Sequence, residues 1–306
     1  MESTTNNYIM GNCLPLDLNE IKDSHVIPVH TKDNSALISQ AQFIDVTKDL
    51  IKGTGYNNVS LPDIRVSHPI KGRIPDAIHK STKDLLPHEE TLYYERMIFL
   101  YKINDVKELI NGNNLSLIIG GVKAYNLDNF NKDHSGMQNF KVFIGFQVQV
   151  CSNLCVWSDG SVIDIKVNNI DSLEFEINKL ISDYSYKTVA GSISRIKDHY
   201  INEDQFAHLI GRCRMYHHLP VTERSGIVDL EITDTQINNV VKHYYHDNHF
   251  GVDNGKIDLW SLYNLFTHAT KSSYIDKYVD RNKNASILIQ DLVEHIEGTN
   301  TSFFLN

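Results

Sequence analysis

The segment from Phe140 to Trp157 constrains the fold more than any other part of the chain. Its apolar residues recur at every second position, which is the period of a β-strand. These residues are Val142, Ile144, Phe146, Val148 and Val150. The opposite face begins apolar at Phe143 and becomes polar at Gln147 and Gln149. We therefore expect a central or near-central strand with one buried face.

A bend is expected directly after this strand, because the short side chains of Cys151, Ser152 and Asn153 favour a change of direction. The chain then resumes as a short strand from Leu154 to Trp157. A turn from Ser158 to Ser161 follows, since Asp-Gly within it is a strong turn signal.

The rest of the N-terminal half is also rich in strand patterns. These lie at His25–His30, Ser35–Ile38, Thr91–Ile103, Leu115–Tyr125 and Val162–Val167. For Thr91–Ile103 the alternative is a helix that starts at Glu89. A helix is predicted from Ala41 to Ile51, where apolar residues follow helical spacing. The segment Ile64–His88 is rich in turn formers and is expected to be an exposed loop. Gly120-Gly121 indicates a bulge or a tight hairpin.

After Asn168 the period of the apolar residues changes to that of helices. Helices are expected to start at Asn202, at Thr233 and at about Asp258, and a last helix contains Ile289 to Ile296. Strands followed by helices predict an α+β fold, in which a helical C-terminal half packs on a largely antiparallel sheet from the N-terminal half. We expect a loose segment at 1–20, one domain at 21–298 that is sheet-rich to about 167 and helical from about 171, and a tail at 299–306.

The net charge of −9 argues against a protein that coats duplex DNA through its overall charge, although a local basic groove is compatible with it. Neither a signal peptide nor an apolar run long enough for a membrane helix is evident, so we expect a cytoplasmic protein without membrane contact. The four cysteines lack paired CxxC spacing, which favours buried thiols over disulfides or structural zinc.

Arg212 and Arg214 flank Cys213 and are candidate phosphate contacts, together with His217 and His218. On a straight helix the two arginines project about 200° apart, so they cannot hold one phosphate together. The alternative is that both border the apolar stripe and extend their charged ends into water.

The histidines between His243 and His249 suggest a metal site near Asp234 and Asp253. However, an HxxH spacing lacks the geometry of the zinc-hydrolase helix, and the sequence places no third ligand. Exposed histidines at a helix end are the usual alternative, so we expect neither a metal nor a cofactor. Gly120-Gly121 follows a strand but opens no helix, which makes it a weak candidate for a phosphate-binding loop.

The basic and aromatic run from Thr267 to Asn284 is the leading candidate for a binding surface. It offers Lys271, Lys277, Arg281 and Lys283, with Tyr274 and Tyr278 between them. Cations that follow a phosphate backbone and rings on which bases stack are the ingredients of single-strand binding. Asp276 and Asp280 dilute the charge, so a solvated helix face with local ion pairs is the alternative. Lys71 and Arg73 extend the surface if the fold brings them near.

Several long stretches carry a family resemblance. They read IRVSHPIKGRIPDA, LYYERMIF, LSLIIGGVKAYN, FKVFIGFQVQVCSNLCVWSDG, QFAHLIGRCRMYHHLP and IDLWSLYNLFTHATKSSYIDKYVDRNKNA. Together they span Ile64 to Ala285 and resemble the family known as domain of unknown function 3871. More distantly, SALISQAQFIDVTKDL, the bend Val150–Asn153 and the segment Leu259–Asn264 are similar to the phage and plasmid group known as domain of unknown function 932.

The resemblance implies a setting in prophages, plasmids or conjugative elements, and it supplies no catalytic residues. By analogy of fold alone, a domain of this kind is compatible with single-strand annealing proteins. We therefore expect a DNA-binding protein of a mobile element, more a binder than an enzyme, that holds and anneals single-stranded DNA as a homo-oligomer. The expected phosphate contacts are Lys271, Lys277 and Arg281, the stacking residues are Tyr274 and Tyr278, and the secondary contacts are Arg212, Arg214, Lys71 and Arg73.

Two alternatives remain open. The first is an anti-defence protein that binds and inhibits a host nuclease or restriction system, which the net charge of −9 favours because an acidic surface imitates DNA. A host recombination protein is a further expected partner. The second alternative is a metal-dependent nuclease that uses His243, His246, His249 and nearby carboxylates.

Overall fold

A computed structural model of the chain describes residues 7–24, 27–28, 38–77, 79–81, 83–128, 137–157 and 161–306. The strands are β1 (Leu14–Leu16), β2 (Ile27–Pro28), β3 (Asp63–Val66), β4 (Pro69–Arg73), β5 (Glu90–Tyr94), β6 (Arg96–Ile110), β7 (Asn113–Ala124), β8 (Gln138–Val148), β9 (Leu154–Cys155), β10 (Val162–Val167), β11 (Tyr200–Asn202) and β12 (Lys256–Asp258). The helices are α1 (Leu18–Ser24), α2 (Gln40–Gly53), α3 (Tyr125–Asp128), α4 (Ile170–Asp183), α5 (Tyr186–Ile196), α6 (Glu203–Tyr216), α7 (Asp234–His246), α8 (Leu259–Thr270) and α9 (Ile275–Ile296).

The main sheet has the order β1-β3-β6-β7-β8-β10, and every neighbouring pair is antiparallel. The short strand β9 pairs with β8 on the same edge as β10, beyond the end of β10. Two smaller antiparallel sheets join β2-β4-β5 and β11-β12. Helices α4 to α9 follow β10 and make up most of the C-terminal half. The predicted α+β fold is confirmed.

The strand predicted from Phe140 is β8, which lies inside the main sheet. Both of its faces are buried, whereas only one was expected to be: Phe143 is fully buried and Gln147 is 7% exposed. The reason is that helices cover the sheet on both sides. Helices α2 and α4 pack on one side together with Ile144, and the first turns of α9 pack on the other side together with Phe143.

Gly120 and Gly121 lie in the middle of β7 in continuous register, so the predicted bulge or hairpin at this point is wrong. Their role is to make room for aromatic rings. A Cβ at Gly121 would lie 2.3 Å from Cζ of Phe43, and a Cβ at Gly120 would lie 2.5 Å from Cζ of Phe143. The pairing of β6 with β7 is irregular at a different place, where the register shifts in β6 between Ile103 and Lys107.

The segment Ile64–His88 is not simply an exposed loop, because it contains most of β3 and all of β4. Ile64 and Val66 face the core at alternate positions and are nearly fully buried. Such short strands between turn formers give too few periods to be recognised in sequence. Of the strands predicted at 25–30 and 35–38, only Ile27–Pro28 and the last residue of the second fall among the described residues, and the turn predicted at 158–161 lies almost wholly outside them.

The helix starts follow the predicted capping residues. Asn202 and Gln205 form a capping box, in which the Asn202 side chain accepts from the Gln205 amide at 2.8 Å. Thr233 caps α7 and Asp258 caps α8. The side-chain oxygen of each cap satisfies an amide that has no partner within its helix. No helix among the described residues combines the length and the apolar character needed to cross a lipid bilayer.

Both end segments pack against the rest of the protein, although loose ends were expected. Tyr8 and Ile9 are each 1% exposed, and the amides of Met10 and Gly11 donate to the carbonyl oxygen of Lys271 at 2.7 and 3.0 Å. At the other end, Phe304 is fully buried in the main core. The expectation of loose ends is therefore wrong for these residues, and the division into one domain at 21–298 with two flanking segments stays a prediction.

Candidate functional site

The basic and aromatic run does not form one helix face. Helix α8 ends at Thr270 and α9 begins at Ile275, so the run spans a helix end, a short connection and a helix start. Lys271 is the C-terminal cap of α8 and Tyr274 is the N-terminal cap of α9. The two serines between them favour such a break because their hydroxyls compete for backbone groups.

Two residues of the run are buried and cannot contact DNA in this conformation. Lys271 is 3% exposed, and its ammonium donates to the carbonyl oxygen of Cys151 at the bend after β8. Tyr278 is fully buried, and its hydroxyl donates to the carbonyl oxygen of Tyr8. Both side chains therefore stabilise the fold. We no longer expect Lys271 to contact phosphate or Tyr278 to stack on a base.

Replacing Lys271 with Met should change how stability depends on pH. Burial lowers the pKa of Lys271 from 10.5 to about 8, so the folded chain loses this proton before the unfolded chain does. The wild type therefore gains stability as the pH rises from about 8 toward 10.5, and loses that gain as the pH falls through 8. Between about pH 7 and about pH 9.5, we expect the wild type to gain about 2 kcal/mol of unfolding free energy relative to Lys271→Met. Denaturant titrations at both pH values measure the difference, and a difference independent of pH would contradict the expectation.

Two of the four expected secondary contacts, Arg73 and Arg212, bind other parts of the chain. Arg73 is 3% exposed and donates to the carbonyl oxygen of Lys80, so it is not a surface cation. Lys71 lies in the same strand, β4, and its side chain is outside the described part of the structure. Arg212 lies over the ring of Phe303 at 4.8 Å.

Arg212 also donates to the backbone oxygen of Asn306 at 2.6 Å. It therefore fixes the C-terminal residues to α6 through both its charge and its apolar contact. Arg214, on the far side of Cys213, is exposed. The two arginines thus face different surroundings, as their spacing predicts.

Tyr274 is the predicted stacking residue that remains accessible, with an exposed fraction of 60%. It lies at the rim of a cleft of about 450 Å³, which Gly11, Ser67, His68, Glu95 and Arg96 also line. The guanidinium carbon of Arg96 lies 5.8 Å from the centroid of the Tyr274 ring. This distance is within the range of a cation–π contact, so Arg96 supports one side of the ring.

Ion pairs fix Arg96 in this position. Its Nε lies 3.0 Å from Oδ1 of Asp276, and its Nη1 lies 3.0 Å from Oε2 of Glu95. His68 lies 3.5 Å from the same carboxylate of Glu95. Because Arg96 is the first residue of β6 and Asp276 belongs to the first turn of α9, these contacts join the sheet to the helix at the floor of the cleft.

The N-terminal segment forms another wall of the cleft at Gly11. A Cβ there would lie 2.1 Å from the carbonyl oxygen of Ser273, so only glycine allows this close approach. The hydrogen bonds from Met10 and Gly11 to Lys271 hold the segment in place. Met10 and Gly11 thus contact both the buried end of α8 and the connection that leads to the exposed start of α9.

Lys277 lies one helical turn after Tyr274 and is exposed. The acidic residues that were expected to dilute its charge point elsewhere: Asp276 pairs with Arg96, and Asp280 pairs with Lys141 of β8. In the described residues Lys277 forms no ion pair. Its ammonium is therefore available to a ligand that also reaches Tyr274.

Arg281 and Arg214 both have polar contacts that lead to α7, Arg281 through Ser273 and Arg214 directly. Nη1 of Arg281 donates to Oγ of Ser273 at 3.0 Å, and Nε2 of Gln236 donates to the same oxygen at 2.9 Å. Arg214 donates to the side chain of Asn238, in the same helix as Gln236. Arg281 is partly buried. Among the predicted phosphate contacts in this region, Lys277 and Arg214 therefore have the most exposed side chains.

The histidine segment does not build a metal site. His243 lies 3.8 Å from Oδ2 of Asp247, and its ring centroid lies 4.5 Å from that of His268. Burial, the charge of Lys271 and the neighbouring His243 lower the pKa of His268 to about 4. Across the described ranges, no group of three His, Cys, Asp or Glu side chains is placed to hold a metal ion.

Sequence reasoning missed Arg96 and His68. Arg96 lies in a stretch that reads as a strand, and His68 lies in a stretch that was expected to be loop. Their approach to Tyr274 depends on the docking of α9 on the start of β6, which no local pattern encodes. An arginine directly before the apolar run Met97–Leu100 was the one signal present.

One comparison with known proteins identifies a family, and it assigns no function. The family model described as "Domain of unknown function, B. Theta Gene description (DUF3871)" matches residues 1–305, so the expected resemblance is confirmed. No curated protein and no solved structure matches the chain. The similarity to the domain of unknown function 932 group and the setting in mobile elements stay predictions.

Proposed function

The chain belongs to the DUF3871 family, and we propose that it binds single-stranded DNA through the cleft at Tyr274. The observation that carries this proposal is the exposed ring of Tyr274, which Arg96 supports from one side at the rim of a cleft of about 450 Å³. Proteins that bind single strands stack bases on such rings without strong sequence preference. The volume of the cleft lies within the range of small-ligand sites, so it has room for one base.

The surroundings of Tyr274 support contacts with a phosphate backbone. Lys277 is exposed one turn away, and Arg214 is exposed beyond the polar contacts of Ser273 and Gln236. A strand whose base enters the cleft would run its phosphates past Lys277 toward Arg214. The interaction favours a single strand, because a base inside a duplex is already paired and stacked.

Annealing, a homo-oligomeric state and a role in the recombination of a mobile element form the wider part of the proposal. They rest on the resemblance to phage and plasmid groups and on the analogy of fold. A homo-oligomer would place several Tyr274 clefts along one strand. Binding to a single cleft is the step that must hold first.

Tyr274→Ala should weaken binding to a labelled single-stranded oligonucleotide by about fivefold to 150-fold, because one stacked base contributes about 1–3 kcal/mol. Fluorescence anisotropy at two salt concentrations, with the matching duplex in parallel, measures the affinity. The matched control is Tyr245→Ala, which removes an exposed tyrosine of α7 that bonds to Glu203 away from the cleft. Equal affinity of the wild type and Tyr274→Ala, or a preference for the duplex, would exclude this site.

Lys277→Gln should reduce the dependence of binding on salt. One phosphate contact on a single strand contributes about 0.7 to the slope of log affinity against log salt, so the slope should fall by about that amount. The matched control is Lys242→Gln, which removes an exposed lysine of α7. The same slope for the wild type and Lys277→Gln would remove Lys277 from the proposed path.

One observation favours a second candidate function. Two of the predicted phosphate contacts, Arg73 and Lys271, are buried, so their positive charges do not neutralise acidic residues at the surface of this chain, whose net charge is −9. An acidic surface of this kind is compatible with a protein that imitates DNA and inhibits a host nuclease or restriction system. Inhibition of a restriction enzyme by the purified protein, together with no affinity for oligonucleotides, would favour this function over the first.

A further inference from the structure

A second and larger cleft lies apart from Tyr274, between α5 and the C-terminal end of α9. Its volume is about 770 Å³, and its lining includes Trp157, Ser192, Arg195, Ile196, Val293 and Glu294. Pockets of this size hold small organic molecules. Trp157, Ile196 and Val293 form an apolar floor, and the remaining residues are polar.

Gly191 also lines this cleft, and it keeps one wall open. It lies in the interior of α5, where glycine costs about 1 kcal/mol relative to alanine. No close packing requires it, because a Cβ at this position would meet no atom within 4 Å. The absence of a side chain therefore leaves space in the cleft and serves no packing purpose.

The charges at the wall are unequal. Nη2 of Arg195 lies 2.5 Å from Oε1 of Glu297, and Nε2 of His199 lies 3.2 Å from the same oxygen. The hydrogen bond from Arg195 is the main reason that the pKa of Glu297 is lowered. Arg195 and Glu297 thus balance each other.

Glu294 is left as the unbalanced charge of the cleft. Within the described residues it forms no ion pair, and its carboxylate accepts a long hydrogen bond of 3.4 Å from the side-chain amide of Asn300. An apolar floor beside an unbalanced carboxylate is complementary to a molecule with a hydrocarbon body and a positive end.

We propose that this cleft binds a small aliphatic amine in its protonated form. The ammonium group pairs with Glu294 and donates to the hydroxyl of Ser192, while the hydrocarbon chain lies against Trp157, Ile196 and Val293. This site is independent of the proposed binding of single-stranded DNA, because the two clefts share no lining residue.

Isothermal titration of the full chain with 1-aminopentane tests the proposal. Pentan-1-ol and pentanoate serve as probes of the same length that are neutral and negatively charged. We expect saturable binding of the amine at one site, with the alcohol and pentanoate at least about tenfold weaker. Glu294→Gln should weaken amine binding by about tenfold or more, which corresponds to about 1.4 kcal/mol.

Gly191→Leu should abolish binding because its side chain enters the cleft. The matched control is Gly211→Leu, since Gly211 also lies inside a helix, α6, with no atom within 4 Å of an added Cβ. Tyr274→Ala should bind 1-aminopentane as the wild type does, so failure of the DNA proposal leaves this one standing. Non-saturable binding, equal binding of all three probes, or wild-type binding by Gly191→Leu would overturn the proposal.

Discussion

Asp128→Asn is expected to lower the free energy of unfolding by about 1–2 kcal/mol at about pH 7, because it leaves a buried lysine without its counterion, and a lysine with a pKa of about 8 then loses its proton at a limited cost. Lys123 of β7 is fully buried, and its Nζ lies 2.7 Å from Oδ2 of Asp128. The ammonium also donates to the carbonyl oxygen of Asn139 at 3.0 Å and lies 4.2 Å from the centroid of the Phe140 ring. Among these partners, the carboxylate is the one that carries a full negative charge.

The loss should depend on pH in a defined direction. Burial lowers the pKa of Lys123 from 10.5 to about 8, although Asp128 opposes this shift. Without the carboxylate the folded-state pKa falls further, so the cost of holding the ammonium is greatest below pH 8. Above about pH 8 the lysine is neutral in both folded proteins, and the difference between them should shrink as the pH rises through that value.

Chemical denaturation at about pH 7 and about pH 9.5 measures both effects. Lys123→Met is the matched control, since it removes the charge and keeps most of the volume. Asp128 remains partly exposed in that variant and still accepts from the amide of Asn139 at 2.7 Å. We expect Lys123→Met to lose less stability than Asp128→Asn at neutral pH, and the reverse order would refute this account of the pair.

The second large effect is expected at the contact of α2 with the sheet. Phe43 is fully buried, and its ring centroid lies 5.0 Å from that of Phe99 and 4.9 Å from that of Phe140. Phe43→Ala should lower the free energy of unfolding by about 3–5 kcal/mol, because it removes apolar contacts and leaves a cavity. Gly121→Ala should lower it by about 1–3 kcal/mol, because its Cβ would collide with the Phe43 ring.

The double variant tests whether the two losses have one cause. Once Phe43 is alanine, the methyl group of Gly121→Ala enters space that is already vacant. The double variant should therefore lose less than the sum of the single losses, by about 0.5–3 kcal/mol. Gly211→Ala, at an open helix position, should be neutral or stabilising by up to about 1 kcal/mol. Strict additivity of the two losses would show that Gly121 and Phe43 do not act through one contact.

The sequence was most informative where a pattern is local. The alternation from Val142 to Val148 predicted β8, and Asn202 with Gln205 predicted the start of α6, because strand period and capping depend on neighbours in the chain. The pattern did not reveal that Gln147 would be buried. A period shows which faces an element has, but it does not show how many of them another element covers.

The candidate site was less predictable for the same reason. Lys271 and Tyr278 have polar ends that are typical of a surface, yet both are buried against partners near the bend after β8 and the N-terminal segment. Tyr274, between them, remains exposed because it lies at a helix start. Its contact with Arg96 depends on the docking of distant elements, which residue spacing alone does not encode.

The hydrogen bond from Tyr278 to Tyr8 closes a loop of 270 residues. During synthesis on the ribosome, the N-terminal segment leaves the exit tunnel long before α9 is made, so it has to wait for its partner. Long-range closures of this kind slow folding, because the chain loses entropy before the contact forms. The segment at Gly11 should therefore be among the last parts to dock, and nascent chains that stop before α9 should lack the Tyr274 cleft altogether.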